Sequence, residues 1–194
     1  MEIEKAGDLN LKAEEIKKEN FKKLIHSTYD KIVEILREYV DMREDYYTIV
    51  ALWIIGTYFH KQFSTYPYLF FNAMKGSGKT RILNLISNLA WNGKHLISLS
   101  EAVLFRTASE STFCIDEFER IGGKDKQALR ELLNAGYKKG MGVERSRKIT
   151  YQNQKFGGEK YKIEKYELYC PIAMANIWGM EEVLADRCII LTLE

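Results

Sequence analysis

The sequence predicts an α/β fold in which a five-stranded parallel sheet is flanked by helices. Short apolar segments of strand length alternate with segments of helical periodicity, which is the pattern of parallel α/β proteins. A glycine-rich segment joins the first of these strands to a helix, and polar residues follow two of the later strands. The 194 residues are 46% hydrophobic and 29% charged, with a formal net charge of +2, which is typical of one globular domain with a small addition.

The first 62 residues are predicted to form a helical element. From Phe21 to Val40, apolar residues recur at intervals of three and four, which indicates an amphipathic helix. Residues 48–59 are almost wholly apolar but too few to cross a bilayer, so they predict a buried helix and no membrane partner. The α/β core is then expected to occupy residues 63–194.

The composition also predicts where the protein resides. The N-terminal segment is acidic and lysine-rich, unlike a secretory signal. The three cysteines lack C-x-x-C spacing and lie in apolar segments, so we expect reduced core thiols in a cytoplasmic protein; they are Cys114, Cys170 and Cys188.

Five strands and four helices are predicted in the core. The strands comprise residues 67–72, 95–100, 112–115, 171–175 and 188–193. The helices comprise residues 82–89, 102–108, 126–137 and 180–186, and the third of them directs Leu129, Leu132 and Leu133 inward.

The glycine-rich segment AMKGSGKT, residues 73–80, matches the phosphate-binding loop pattern with alanine at the first glycine position. Gly76 and Gly78 allow successive backbone amides to point at one anion. Lys79 is expected to contact the β- and γ-phosphates and Thr80 to bind Mg²⁺. A Gly/Ser-rich surface turn is the alternative, but the preceding strand and following helix favour a nucleotide site. Its predicted residues are Ala73, Met74, Lys75, Gly76, Ser77, Gly78, Lys79, Thr80 and Arg81.

Polar residues at strand ends supply further candidates. Asp116 and Glu117 follow an apolar strand, where Asp116 is expected to bind Mg²⁺ and Glu117 to activate a water. A solvated acidic turn is the alternative for this pair. Asn176 ends the next strand and is expected to contact the γ-phosphate or the attacking water, with a simple asparagine turn as the alternative. Arg187 precedes the last strand and would alone be read as a surface charge. We expect it at the carboxyl edge of the sheet, poorly placed for the γ-phosphate of its own chain's nucleotide.

Taken in order, these segments resemble a known family. AMKGSGKT, TFCIDE, PIAMAN and LADRCIIL are similar to the Walker A, Walker B, sensor 1 and arginine-finger motifs of AAA+ ATPases. With LSEAVLFR and LRELLNAGYKKG, residues 48–194 resemble an ATPase domain of phage- and plasmid-borne replication proteins, often found behind primase modules.

The resemblance implies a fold and a set of roles. It implies a P-loop NTPase sheet in the strand order 5-1-4-3-2, ATP and Mg²⁺ as ligands, and a homo-oligomer. The implied catalytic residues are Lys79, Glu117, the sensor Asn176 and Arg187, a finger that reaches a neighbouring subunit's nucleotide. The chain ends at Glu194, directly after the last strand, so the family's helical lid is expected to come from another subunit or protein, or turnover to be weak.

A basic segment just before the sensor 1 motif PIAMAN predicts an inserted β-hairpin. Residues 149–154 and 160–163 flank the turn sequence FGGE at 156–159. Residues 138–165 contain nine basic and three acidic residues, a net charge of +6. Cations interleaved with tyrosine and phenylalanine suit single-stranded DNA, and AAA+ DNA motors often carry a hairpin at this position. The alternative is a solvated hairpin whose lysines protect an edge. The predicted DNA contacts are Arg145, Arg147, Lys148, Lys155, Lys160 and Lys162.

Together these features predict an ATP-hydrolysing AAA+-type domain that acts on DNA in replication of a mobile element, as a helicase-like motor. A nucleotide-dependent loader or assembly switch that contacts a protein partner is the alternative. A module that binds ATP and hardly hydrolyses it is a third reading.

Overall fold

The computed structural model describes residues 2–116, 118, 127–149, 160–177 and 179–193, without the side chains of residues 2–13, 148, 149 and 160. The chain divides into two compact units, Met1–Leu52 and Trp53–Glu194. The domain boundary predicted at residue 62 stays a prediction.

Two helices begin in the first unit, α1 over Glu2–Tyr39 and α2 over Glu44–Thr57. The apolar stripe predicted for α1 is buried only in its later part, where Ile32 and Leu36 are 7% and 0% exposed. Phe21 and Leu24, in its earlier part, are exposed. The amphipathic helix is therefore longer than predicted, while its buried face is shorter.

A five-stranded, all-parallel sheet forms the centre of the second unit. Its strands are β1 (Tyr68–Ala73), β2 (Gly93–Leu96), β3 (Thr112–Ile115), β6 (Ile172–Asn176) and β7 (Cys188–Leu193). Strands β4 (Gly142–Ile149) and β5 (Lys160–Glu167) pair antiparallel as a separate hairpin. The sheet order is β2-β3-β6-β1-β7. The expected order, 5-1-4-3-2, counts only the five strands of the sheet, in which β6 is the fourth strand and β7 the fifth. Counted in this way and read from β7 to β2, the observed order is fifth, first, fourth, third, second.

Helices flank this sheet. They are α3 (Lys79–Leu89), α4 (Glu101–Thr107), α5 (Gln127–Gly136) and α6 (Glu182–Ala185). Leu129, Leu132 and Leu133 of α5 are buried, as predicted, in one apolar cluster with alternate residues of β1, β3 and β6. Helix α3 contacts β2, β3 and β6 and buries Ile82, Leu83 and Ile86. These apolar contacts pack α3 and α5 against the sheet.

One predicted strand position was wrong. Strand β2 ends at Leu96 instead of residue 100, because the Ser100 hydroxyl caps α4 by accepting a 3.3 Å hydrogen bond from the Val103 amide. The first hairpin strand is described over residues 142–149, which pair in register with β5 from Gly142–Glu167 to Ile149–Lys160. Of the range predicted for this strand, 149–154, residues 150–154 lie outside the described residues. The predicted turn at 156–159 lies outside the described residues.

The three cysteines are free thiols, as predicted. Burial raises the pKa of Cys114 and Cys170 well above the ordinary range and that of Cys188 to about 12. In the described ranges, none of the helices has the length and apolar content that crossing a bilayer requires.

Candidate functional site

The candidate site lies at the carboxyl edge of the sheet, where β1, β3 and β6 end. Strand β1 pairs with β6 in a register that aligns Asn72 with Asn176, so both strands end at the same level. Asp116 follows β3, and its amide donates a 2.8 Å hydrogen bond to the Leu96 carbonyl at the end of β2. Ligands of open parallel sheets bind at this edge.

The loop from Met74 to Gly78 joins β1 to α3. Gly76 and Gly78 have φ angles of +89° and +86°, a backbone region that side chains other than glycine rarely adopt. The amide and hydroxyl of Ser77 both donate to the Met74 carbonyl, at 3.3 and 2.8 Å, and tighten the loop. The pattern's two glycines are thus needed for the path that the backbone takes.

The N-terminus of α3 lies directly behind this loop. Gly78 is its N-cap residue, and no side chain in the described ranges caps it. A helix N-terminus presents backbone amide donors and a partial positive charge. Lys79, the first helical residue, is half-buried and adds a full positive charge beside those amides. Loop and helix together form a position suited to an anion.

One hydrogen bond connects α3 to the end of β3. The Thr80 hydroxyl donates to Asp116 Oδ2 over 2.5 Å, a length typical of a hydroxyl bonded to a carboxylate. Strand β6 lies between β1 and β3, which separates the outer two by about 10 Å. Helix α3 therefore crosses the end of β6 at its first turn. This position brings together Thr80 and Asp116, two predicted Mg²⁺ ligands that are 36 residues apart in the sequence.

Hydroxyl and carboxylate oxygens are the ligand types that Mg²⁺ prefers, and Mg²⁺ usually takes only one or two protein ligands beside phosphates and waters. Thr80 and Asp116 fit that donor set. Among the described residues, no group of three or more His, Cys, Asp or Glu could hold a metal by itself. Glu117, the predicted base, lies outside the described residues.

His95 is a neighbour of Asp116 that the sequence did not reveal. Its Nε2 lies 4.0 Å from Asp116 Oδ2, and Asp116 itself is only 8% exposed. His95 pairs in register with Cys114, two residues before Asp116, on the adjacent strand β2. The pairing of two strands creates this contact, so no local motif could have indicated it.

Asn176 is buried at the end of β6, and its amide closes the loop that follows. Its Nδ2 donates to the Gly179 carbonyl over 2.7 Å, and its Oδ1 accepts from the Ile177 amide over 2.6 Å. These are contacts of the asparagine turn named as the alternative. The sensor role stays a prediction.

Arg187 lies at the opposite edge from the one we predicted. It precedes β7, and its carbonyl accepts a 2.9 Å hydrogen bond from the amide of Tyr68, the first residue of β1. The expected carboxyl-edge position was wrong because a right-handed parallel crossover returns the chain to the amino edge before each strand. The six residues of β1 separate the two edges by about 20 Å.

The Arg187 guanidinium has partners in its own chain. Its Nε donates to the Asn134 carbonyl over 3.0 Å, and its Nη1 donates to the Val183 carbonyl. The guanidinium carbon also lies 5.0 Å from the centre of the Tyr137 ring. These contacts join α5 to the segment before β7.

The predicted DNA-contact residues lie on the hairpin. Arg145, Arg147 and Lys162 are exposed, whereas nothing is described of Lys155 or of the side chains of Lys148 and Lys160. Arg147 forms a 3.7 Å ion pair with Glu164. Tyr166 donates a 2.5 Å hydrogen bond to Glu164, which lowers the pKa of Glu164 and raises that of Tyr166.

Comparison with known proteins finds no family model and no curated protein that matches this chain.

Proposed function

We propose that this chain is an ATP-binding and ATP-hydrolysing domain of the AAA+ type that acts on DNA. The observation that carries the proposal is the 2.5 Å hydrogen bond between Thr80 and Asp116, at the start of a helix that follows a glycine-rich loop. A hydroxyl and a carboxylate that meet beside backbone amides and a lysine form a site for a metal-bound polyphosphate.

Each residue has one task in the proposed mechanism. The amides of residues 76–80 and the Lys79 ammonium bind the β- and γ-phosphates. Thr80 and Asp116 would hold Mg²⁺, which would supply positive charge to neutralise the phosphate oxygens. Glu117 would orient a water and accept its proton as the water attacks the γ-phosphorus, while the bond from that phosphorus to the β,γ-bridging oxygen breaks and ADP leaves. Arg187 lies too far along the sheet to act on the same nucleotide, so its proposed role is on ATP bound by a second copy and requires it to leave its own-chain partners.

The test of the proposal is ATP affinity in the presence of Mg²⁺, measured by calorimetry. Lys79→Ala is expected to weaken ATP binding at least about a hundredfold, because a charge-assisted contact of roughly 3 kcal/mol is lost from the phosphates. Lys31→Ala, which removes an exposed lysine of α1, is the matched control and is expected to keep wild-type affinity. Equal ATP affinity of the Lys79→Ala variant and the wild type would disprove the nucleotide site.

A second function, a nucleotide-dependent loader that contacts a protein partner, is favoured by one observation. Tyr161 and Ile163 of β5 are 62% and 69% exposed, although both are large and apolar. Alternation along β5 directs them to the face opposite Lys162 and Glu164. Exposed large apolar side chains suit contact with a protein surface better than contact with a phosphate backbone. Stimulation of turnover by bare DNA separates the two functions.

A further inference from the structure

A groove lies between α4 and the hairpin. Its volume is about 610 Å³. Three arginines and two aromatic rings dominate its lining, which comprises Phe105, Arg106, Arg145, Ser146, Arg147 and Tyr166. Only two of these arginines belong to the hairpin; Arg106 comes from a helix that the sequence did not connect with DNA.

The Phe105 ring fixes two of the cations. The guanidinium carbons of Arg145 and Arg106 lie 5.4 and 5.6 Å from its centre. The Tyr166 ring packs against Phe105 at 5.0 Å between centroids, with a 55° tilt. Guanidinium groups held over an aromatic ring lose less conformational freedom when a ligand binds, so they are preorganised for an anion.

Two of the groove's arginines form ion pairs with carboxylates, and both pairs are weak enough for a phosphate to compete. Arg145 pairs with Glu101 at 3.6 Å and Arg147 with Glu164 at 3.7 Å, both longer than a good charge-assisted hydrogen bond. Exposed ion pairs of this kind contribute at most about 1 kcal/mol. Phosphates can therefore replace the carboxylates as partners at small cost.

The cations also continue beyond the groove. Strand pairing sets Arg147 opposite Lys162 and Arg145 opposite Glu164, and alternation directs all four to the same face of the hairpin, where the three cations outnumber the carboxylate. A ligand with repeated negative charges matches such a row better than a single phosphate does. Phe105 and Tyr166 add the aromatic surfaces on which unpaired bases stack.

We propose that this groove binds the backbone of a single-stranded nucleic acid, with Arg106, Arg145 and Arg147 on its phosphates and an unpaired base against the Phe105–Tyr166 pair. The inference deepens the proposed function and rests on its DNA partner. It assigns α4, and not the hairpin alone, to that partner.

The test is fluorescence anisotropy of a labelled 20-nucleotide oligo-dT with the full chain, as salt is varied. The double variant Arg106→Gln/Arg147→Gln is expected to bind at least about tenfold more weakly at 100 mM salt. Its plot of log affinity against log salt should be shallower by about 1.4, since two phosphate contacts are lost at roughly 0.7 each. Arg106→Lys/Arg147→Lys retains both charges and should retain most of that slope.

Arg43→Gln is the matched control. Arg43 also pairs with a carboxylate, Asp45 at 2.9 Å, and lies 4.8 Å from the centre of an aromatic ring, that of Tyr46, but it is in the first unit. Its loss should leave oligo-dT affinity unchanged. Equal losses from Arg43→Gln and from the groove variant would overturn the groove assignment.

ATP affinity measured on the same preparations separates the two proposals. If the wild type binds ATP while the Gln double variant binds oligo-dT normally, the groove proposal fails alone. If the wild type fails to bind ATP while oligo-dT binding depends on Arg106 and Arg147, the nucleotide site fails and the groove stands. If the double variant loses ATP binding and keeps oligo-dT binding, the groove holds a free nucleotide, which contradicts our proposal.

Discussion

At the residue scale, His60 shows how burial sets a protonation state. It is 2% exposed, and its ring centroid lies within 6.3 Å of those of Tyr66, Trp91 and Tyr169. Nδ1 donates to the Thr57 carbonyl over 2.7 Å, while Nε2 has no hydrogen-bond partner among the described residues. Protonation would leave a buried N–H without an acceptor, so burial lowers the pKa of His60 below its ordinary value of 6.5.

This pKa predicts a loss of stability in mild acid. Because the folded-state pKa is below the unfolded-state pKa, the unfolded chain binds more protons as pH falls below about 6.5. The free energy of unfolding therefore decreases with falling pH between the unfolded-state and folded-state pKa values. Denaturant unfolding of the wild type at pH 7.5 and 5.5 measures the decrease, and His60→Gln should reduce it.

His26→Gln removes an exposed histidine of α1 and controls for the general effect of losing an imidazole. We expect it to keep the wild-type difference between the two pH values. If His60→Gln also keeps that difference in full, His60 does not contribute to the acid sensitivity.

At the scale of elements, two tyrosines make the same kind of bond in different surroundings. Tyr68 on β1 is fully buried and donates to the Leu133 carbonyl of α5 over 2.8 Å. Tyr58, after α2, is 56% exposed and donates to the Leu89 carbonyl of α3 over 3.0 Å. Water can replace the exposed hydroxyl of Tyr58 as a hydrogen-bond donor, but it cannot replace the buried hydroxyl of Tyr68.

Tyr68→Phe is therefore expected to lower the free energy of unfolding by about 1–3 kcal/mol, because it leaves a buried carbonyl unsatisfied. Tyr58→Phe should lower it by less than about 0.5 kcal/mol. Urea unfolding of both variants measures the difference. Equal losses would show that the hydroxyl of Tyr68 does not hold α5 against the sheet.

The sheet could be predicted because its strands are short apolar segments with clear helical patterns between them. Local patterns did not predict the end of β2, because another interaction decides it. Ser100 belongs to the segment predicted as a strand, but in the structure its hydroxyl caps α4. The hairpin strands are polar and long, so their extent depends on cross-strand pairing instead of hydrophobic periodicity.

The site could be predicted in part for the same reason. Thr80 and Asp116 each belong to a recognisable local motif, and both approach the same sheet edge. His95 belongs to no motif, and Arg106 lies in the segment LSEAVLFR without an assigned role. Their positions depend on the pairing of β2 with β3 and on the packing of α4 against β5.

At the scale of the whole molecule, the sheet separates the proposed nucleotide site from Arg187 by the length of a strand. If Arg187 serves ATP bound by a second copy, activity requires association. Turnover per chain is then expected to rise with protein concentration, a dependence that a series of dilutions in an ATPase assay measures.

The most direct test of the central claim is the release of phosphate from ATP by the wild type, with and without single-stranded DNA. We predict Mg²⁺-dependent turnover that increases when DNA is added and that Glu117→Gln abolishes while ATP binding persists, since only the base that activates water is lost. Turnover in the Glu117→Gln variant equal to the wild type, or a wild type that binds Mg²⁺ and ATP yet releases no phosphate with DNA present, would contradict the account.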